Sequence, residues 1–306
     1  MTVRAEASTA YHGTMRGIGW MVLTGLLFVC VTGIVRHLGT DLPAVESAFI
    51  RYAIGLVLIS PALVGLMRNR PSGGAMMLYT ARGLVHGGAV FLWFYAMARI
   101  PIAEVTAIGY TAPIFVTIGA ALFLGEALHL RRIAAVVIGF AGTLIILRPG
   151  FETINWGQLA QLTAAPLFAC SFILAKKLTE REDPVVIVLM LSVFCTLTLM
   201  PGAIAQWRAP TLEELSWLTL TAVFATAGHY TLTRAFREAP ITVTQPVGFL
   251  QLVWASLLGM TVFNEALDPF VFLGGGIIVA AATYISHREA QAARRMVTPP
   301  AAATKG

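Results

Sequence analysis

Charge is scarce in this sequence. Asp, Glu, Lys and Arg make up 12 % of its 306 residues, about half the share of soluble domains. Such a chain cannot clothe a water-facing surface. With 57 % hydrophobic residues and a mean hydropathy of +0.78, it is expected to face lipid. Cysteine is scarce too. Cys30, Cys170 and Cys195 all lie in apolar stretches, with no CxxC and no metal-ligand spacing, which excludes a disulfide framework or a metal site. GxSxG, HExxH and a mid-span pair of acids are absent, and Ser60, Ser171, Ser192 and Ser256 have no His at motif spacing. That argues against an intramembrane enzyme. No motif points to a cofactor. The formal charge of +6 sits in loops between apolar runs, so topology accounts for it and no nucleic-acid partner is expected. The partners read from the chain are the lipid bilayer and a small-molecule substrate.

What is present is a series of ten apolar runs, at 17–38, 44–67, 75–99, 102–124, 130–147, 156–178, 184–206, 212–236, 241–263 and 268–286. Each is near the ~20 residues needed to span a bilayer. The first 15 residues are too polar for a signal-peptide core, so the first run is expected to stay as an anchor. Most of the 21 Lys and Arg fall in the segments that share a side with the N-terminus, and only Arg36, Arg99, Arg148 and Arg208 fall in the opposite loops. This bias places both termini in the cytoplasm of a multi-pass inner-membrane protein. The segment 288–306, with Arg294, Arg295 and Pro299-Pro300, reads as a disordered cytoplasmic tail.

The chain also repeats itself. An offset of 139 puts Gly125-Glu126-Ala127-Leu128 on Asn264-Glu265-Ala266-Leu267, Pro101 on Pro240, and Gly109 on Gly248. An offset of 140 puts Phe28 and Cys30 on Phe168 and Cys170. The expected units are 1–150 and 151–287. Each has five spans, an odd number, so the second half enters the membrane the other way up. Inverted repeats with a site between them are a construction of many secondary transporters. The fold class expected is therefore an all-α integral membrane protein of two inverted five-helix repeats around a central cavity.

Ionisable and aromatic residues at membrane depth are the candidates for chemistry, because burying them is costly without partners or water. On the third span, Tyr79, Arg82, His86 and Trp93 share one face. An Arg could pair with a carboxylate, and the aromatic rings could stack on a planar group or meet an ammonium. Tyr79 and Arg82 also lie near the interface, where snorkelling is an equal reading. The fourth span presents Thr106, Tyr110 and Pro113, and the ninth presents Phe249 with Gln251 and Trp254 nearby. His229 on the eighth span is placed to face His86. Pro113 and Pro166 are candidate hinges, since each removes a helical hydrogen bond. Gly83 and Gly87 form a GxxxG suited to close helix approach. Glu46 and Arg51 are read as structural. No Asp or Glu lies convincingly at mid-span, so the coupling readings are titration of the two histidines or uncoupled movement.

The stretch Ala96-Met97-Ala98-Arg99-Ile100-Pro101, Ala112-Pro113-Ile114, Gly125-Glu126 and Gly139-Phe140-Ala141-Gly142 resembles the EamA branch of the drug/metabolite transporter superfamily. A weaker copy runs from Arg234 to Ser286. The resemblance implies ten helices, cytoplasmic termini, and a cavity lined largely by the third, fourth, eighth and ninth helices. In architecture the chain is similar to aromatic amino-acid exporters of the YddG type. Export of aromatic and other bulky neutral amino acids is the first expectation. A vitamin, a nucleotide-like metabolite or a lipophilic drug is the alternative.

Overall fold

The computed structural model describes residues 2–62, 73–112, 114–115, 130–148, 153–239, 244 and 247–297. Among them are ten α-helices: α1 (Thr2–Leu38), α2 (Ala44–Ile59), α3 (Gly73–Met97), α4 (Ile102–Gly109), α5 (Leu130–Leu147), α6 (Trp156–Leu178), α7 (Pro184–Ala205), α8 (Leu212–Glu238), α9 (Leu250–Val262) and α10 (Pro269–Val297). The protein is an all-α membrane protein of two five-helix repeats. Met15–Leu38, Trp156–Leu178 and Pro184–Ala205 are each long and apolar enough to cross a bilayer.

Local chemistry sets the helix starts. Asn155 and Gln158 form a reciprocal capping box on α6, as do Thr211 and Glu214 on α8; each satisfies two orphan N–H donors. Asp183 caps α7 ahead of Pro184, accepting from the Val185 N–H at 2.9 Å. Pro43 and Pro101 precede α2 and α4.

The packing obeys an exchange of halves. α1 packs on α8 as α6 packs on α3; α2 packs on α8 as α7 packs on α3; α1 meets α9 as α6 meets α4. The pairs α2/α7, α4/α9 and α5/α10 each join equivalent helices across the pseudo-twofold. Small residues set the closest approaches. A Cβ on Gly83 of α3 would lie 2.1 Å from the Phe194 Cβ of α7, and one on Gly274 of α10 would lie 2.4 Å from the Gly142 carbonyl oxygen of α5.

Three boundaries differ from those read in the sequence. α10 runs on to Val297, where an irregular tail was expected from 288. Arg288-Glu289-Ala290-Gln291-Ala292-Ala293-Arg294-Arg295-Met296 are strong helix formers with no breaker. α1 begins at Thr2, well before residue 17. α4 stops at Gly109, with Tyr110 and Thr111 in tighter turns onto Ala107 and Ile108. Pro113 has no N–H to offer the Gly109 carbonyl, and α-helical backbone is present again at Ala112, Ile114 and Phe115, with the Phe115 N–H donating to the Thr111 carbonyl at 3.2 Å. Pro113 itself, like the Gly125-Glu126 pair, lies outside the described residues. α6 carries Pro166 within an assigned helix that runs from Trp156 to Leu178.

Candidate functional site

A central cavity of about 220 Å³ lies where the two halves meet, walled by α1, α2, α3, α4, α6 and α8 and the approach to α9. Its aromatic wall is Phe28, Trp93, Tyr110, Phe168, Phe172, Phe236 and Phe249. Its polar groups are Thr24, Thr32, Arg51, His86, Thr106, Gln161, His229 and Gln251. None of the described lining residues is acidic.

His86 and His229 form its centre. Their rings lie 5.0 Å apart, edge to face. Phe168 sits 5.3 Å from the His86 ring and Phe28 5.2 Å from the His229 ring. Phe28 and Phe168 are repeat-related, so each half supplies one phenyl ring to one imidazole. His86 Nδ1 is 2.8 Å from the Ser171 hydroxyl. His86 Nε2 and His229 Nδ1 are buried with no hydrogen-bond partner among the described residues.

The second feature is where α4 meets α9. The Tyr110 hydroxyl donates toward the Gly248 and Phe249 carbonyls at 3.3 and 3.1 Å, and the two rings meet edge to face at 4.9 Å. Tyr110 and Phe249 occupy equivalent positions. Each sits at an interruption of its helix, α4 ending just before Tyr110 and α9 starting just after Phe249. Interrupted helices at the repeat interface, near the membrane midplane, are where transporters hold their cargo.

Of the residues singled out in the sequence, His86, Trp93, Tyr110, His229, Phe249 and Gln251 line the cavity. Three do not. Tyr79 is packed with Leu178, Ile187 and Met190 in a separate apolar cluster. Arg82 is 1 % exposed and donates to the Ile187 carbonyl of α7 at 3.5 Å. Both turn toward α7 because α3 is packed between two helices, and the face shared by four residues extends past the cavity. Trp254 is 40 % exposed and is not among the residues on the cavity.

Arg51, read as structural, lines the cavity instead. Glu46 does hold structure: its Oε2 accepts from the Arg208 N–H at 3.0 Å. Ser171 and His86, 85 positions apart, are brought into contact, which no linear motif could reveal. The aromatic wall of Phe28, Phe168 and Phe172 was missed as well. The Phe28–Phe168 repeat match was the signal that could have found it.

Two consecutive stretches, residues 15–148 and 155–287, match the model of the EamA-like transporter family. The chain belongs to this family. It is similar to an S-adenosylmethionine uptake transporter of Rickettsia bellii, at 28 % identity over 92 % of this chain and 97 % of that one. A riboflavin transporter of Vibrio cholerae is 29 % identical over 93 % and 97 %. A pseudopaline exporter of Pseudomonas aeruginosa is 29 % identical over 88 % and 95 %. A solved crystal structure matches with a TM-score of 0.57 at 18 % identity, over 94 % of this chain and 99 % of that one, a likeness of fold alone. As an EamA-like transporter, the chain is a multi-pass membrane protein that moves small metabolites. Its buried, aromatic-walled cavity between the repeats has the chemistry of a small-molecule site.

Proposed function

We propose that this protein exports amino acids, aromatic and other bulky neutral ones first, across the inner membrane by alternating access. The observation that carries this reading is the cavity wall: among the described residues, rings and neutral hydrogen-bonding groups surround one guanidinium, with no acid among them. Stacking rings accept a planar side chain, and Arg51 can hold a carboxylate. Size favours the amino acid over a flavin. Drug-sized ligands occupy pockets of roughly 300–1,000 Å³, more than the about 220 Å³ of this one. The positive-inside bias supports cytoplasmic termini. With no carboxylate among the described cavity residues, uncoupled movement down the substrate gradient is the simplest mechanism, and His86, Trp93, Tyr110, His229, Phe249 and Gln251 form the site.

Catalysis is a poorer reading. Ser171 and His86 meet as a nucleophile and base would, but Ser171 is fully buried and does not line the cavity. His86 Nε2 has no orienting partner among the described residues, where a catalytic triad would need one.

The test is efflux from proteoliposomes loaded with labelled Phe, Tyr, Trp, Leu, Met, Thr, riboflavin or a lipophilic cation, with and without a pH gradient. Gradient-independent efflux of the bulky amino acids, lost in His86→Ala, is expected. Movement of riboflavin or the cation alone would sink the amino-acid reading and leave the carrier intact.

A further inference from the structure

Arg51 lies on α2 and reaches the cavity, yet the residue is only 5 % exposed. Its guanidinium stacks over the neighbouring Tyr52 ring, 4.0 Å from the centroid. Its Nε and Nη1 are buried and have no hydrogen-bond partner among the described residues. A guanidinium keeps its charge in proteins, and an unpaired buried charge is strongly unfavourable.

The described surroundings do not offset it. Among the described residues the cavity wall has no Asp or Glu. Glu104 on α4 accepts from Gln158 Nε2 at 2.6 Å and does not line the cavity. Glu46, also on α2, is held by the Arg208 N–H. Arg82, buried on α3, adds a second cation whose Nη1 donates only to a carbonyl at 3.5 Å. The remaining polar cavity groups beside Arg51 are imidazoles, hydroxyls and amides. The net charge that the described residues place on this side of the cavity is therefore positive, and it is carried by Arg51, which lines the space.

We infer that Arg51 is the specificity-determining residue for an anionic group of the cargo, a carboxylate, and that the free nitrogens of His86 and His229 bind the polar atoms next to it. The inference rests on the reading of the cavity as the transport site. A planar carboxylate suits a guanidinium, because its two oxygens can meet two N–H groups in one plane, and it is the anionic group that an amino acid carries. The aromatic wall then receives the rest of the molecule. An amide of the same shape offers one neutral carbonyl oxygen and a protonated amine offers no acceptor, so both bind more weakly than the acid.

The experiment measures binding to the purified full-length protein in nanodiscs. The probes are phenylalanine, phenylpyruvate, phenylalaninamide, phenethylamine, S-adenosylmethionine and riboflavin. The two phenyl acids are expected to bind at least about 10-fold more tightly than the amide and the amine, as suits a charge-assisted hydrogen bond. Arg51→Met should abolish that preference, and Arg51→Lys should keep part of it. The inference is overturned if the wild-type protein binds acid and amide alike, a comparison that needs no variant. It is overturned equally if Arg51→Met, melting as the wild type does, still prefers the acid. Arg51-dependent binding of phenylpyruvate or S-adenosylmethionine without any free amino acid would defeat the amino-acid reading and uphold the carboxylate subsite. Riboflavin as sole ligand, having no carboxylate, would defeat both.

Discussion

Arg36 and Lys176 hold equivalent places at the ends of α1 and α6, and each ties its helix to a carbonyl near the end of a helix in the opposite pair. Arg36 Nη1 donates to the Met97 carbonyl at 3.2 Å, and Lys176 Nζ donates to the Phe236 carbonyl at 2.6 Å. Met97 and Phe236 are themselves repeat-related. On the Arg36 side the tie continues, with Arg36 Nη2 2.8 Å from Glu265 Oε1 and the Ile102 N–H donating to Glu265 Oε2 at 2.9 Å. Asn264, with φ of 50°, turns the chain after α9, and the Glu265 N–H closes back onto the Gly259 carbonyl at 3.0 Å. This left-handed cap aims the carboxylate at α1 and α4. Asn is tolerated at such φ values, and its equivalent in the first half is Gly125.

Removing Glu265 should therefore loosen one face of the molecule. Glu265→Ala leaves the Ile102 N–H without its acceptor and Arg36 without its carboxylate partner, and about 1–3 kcal/mol of stability should be lost. Combining it with Arg36→Ala should cost less than the two single losses added together, because they share one interaction. Thermal unfolding in detergent reads this out, and simple additivity would show that the contact is not energetically coupled.

Gly25 lines the cavity, and a Cβ placed there meets nothing within 4 Å. Gly25→Val should fold as the wild type while intruding on the substrate space. Unchanged melting with strongly reduced uptake or efflux is expected; full transport by this variant would move the cargo path elsewhere.

Gly83 and Gly74 share α3 but not the same surroundings. A Cβ at Gly83 would collide with Phe194, whereas at Gly74 nothing lies within 4 Å. Gly83→Ala should destabilise by about 1–3 kcal/mol through overpacking. Gly74→Ala should be neutral or slightly stabilising, as expected for an exposed helical glycine. Equal melting temperatures for the two variants would contradict the α3/α7 packing.

Tyr110→Phe keeps the ring contact with Phe249 and removes the hydroxyl that bridges to α9. Loss of about 0.5–1.5 kcal/mol is expected, with a change in transport rate larger than the change in substrate affinity if the crossing moves during transport. Comparing initial rates at saturating and limiting substrate separates the two.

Trp93→Ala should weaken binding of tryptophan and phenylalanine about 3- to 10-fold through lost aromatic contact, and weaken leucine less. A uniform loss across all substrates would assign Trp93 to packing.

Much of the architecture was legible in the chain because lipid leaves few options. Backbone groups must be satisfied within each span, so apolar length predicts helices. A near-constant offset of 139 or 140 then predicts which helices are equivalent. The site was legible only in part, and for a geometric reason. His86 and Trp93 lie seven apart on α3 and both reach the cavity. Tyr79 and Arg82, on the same face, leave it because α3 packs across α6 and α7 rather than along the cavity.

Composition and spacing alone place this protein in a bilayer, put most of its Lys and Arg between the apolar runs, and show that its two halves share one pattern. Those are properties of local composition and spacing, set by solvation and by backbone chemistry. Which polar side chains converge is set by the packing of the helices. Packing α2, α3, α6 and α8 around one space sets Arg51 on the cavity and Arg82 outside it. It also joins His86 to Ser171 and His229 from distant parts of the chain. Such convergence depends on how helices cross and rotate, which is fixed by the summed contacts of small and large residues at their interfaces and is written in no single segment.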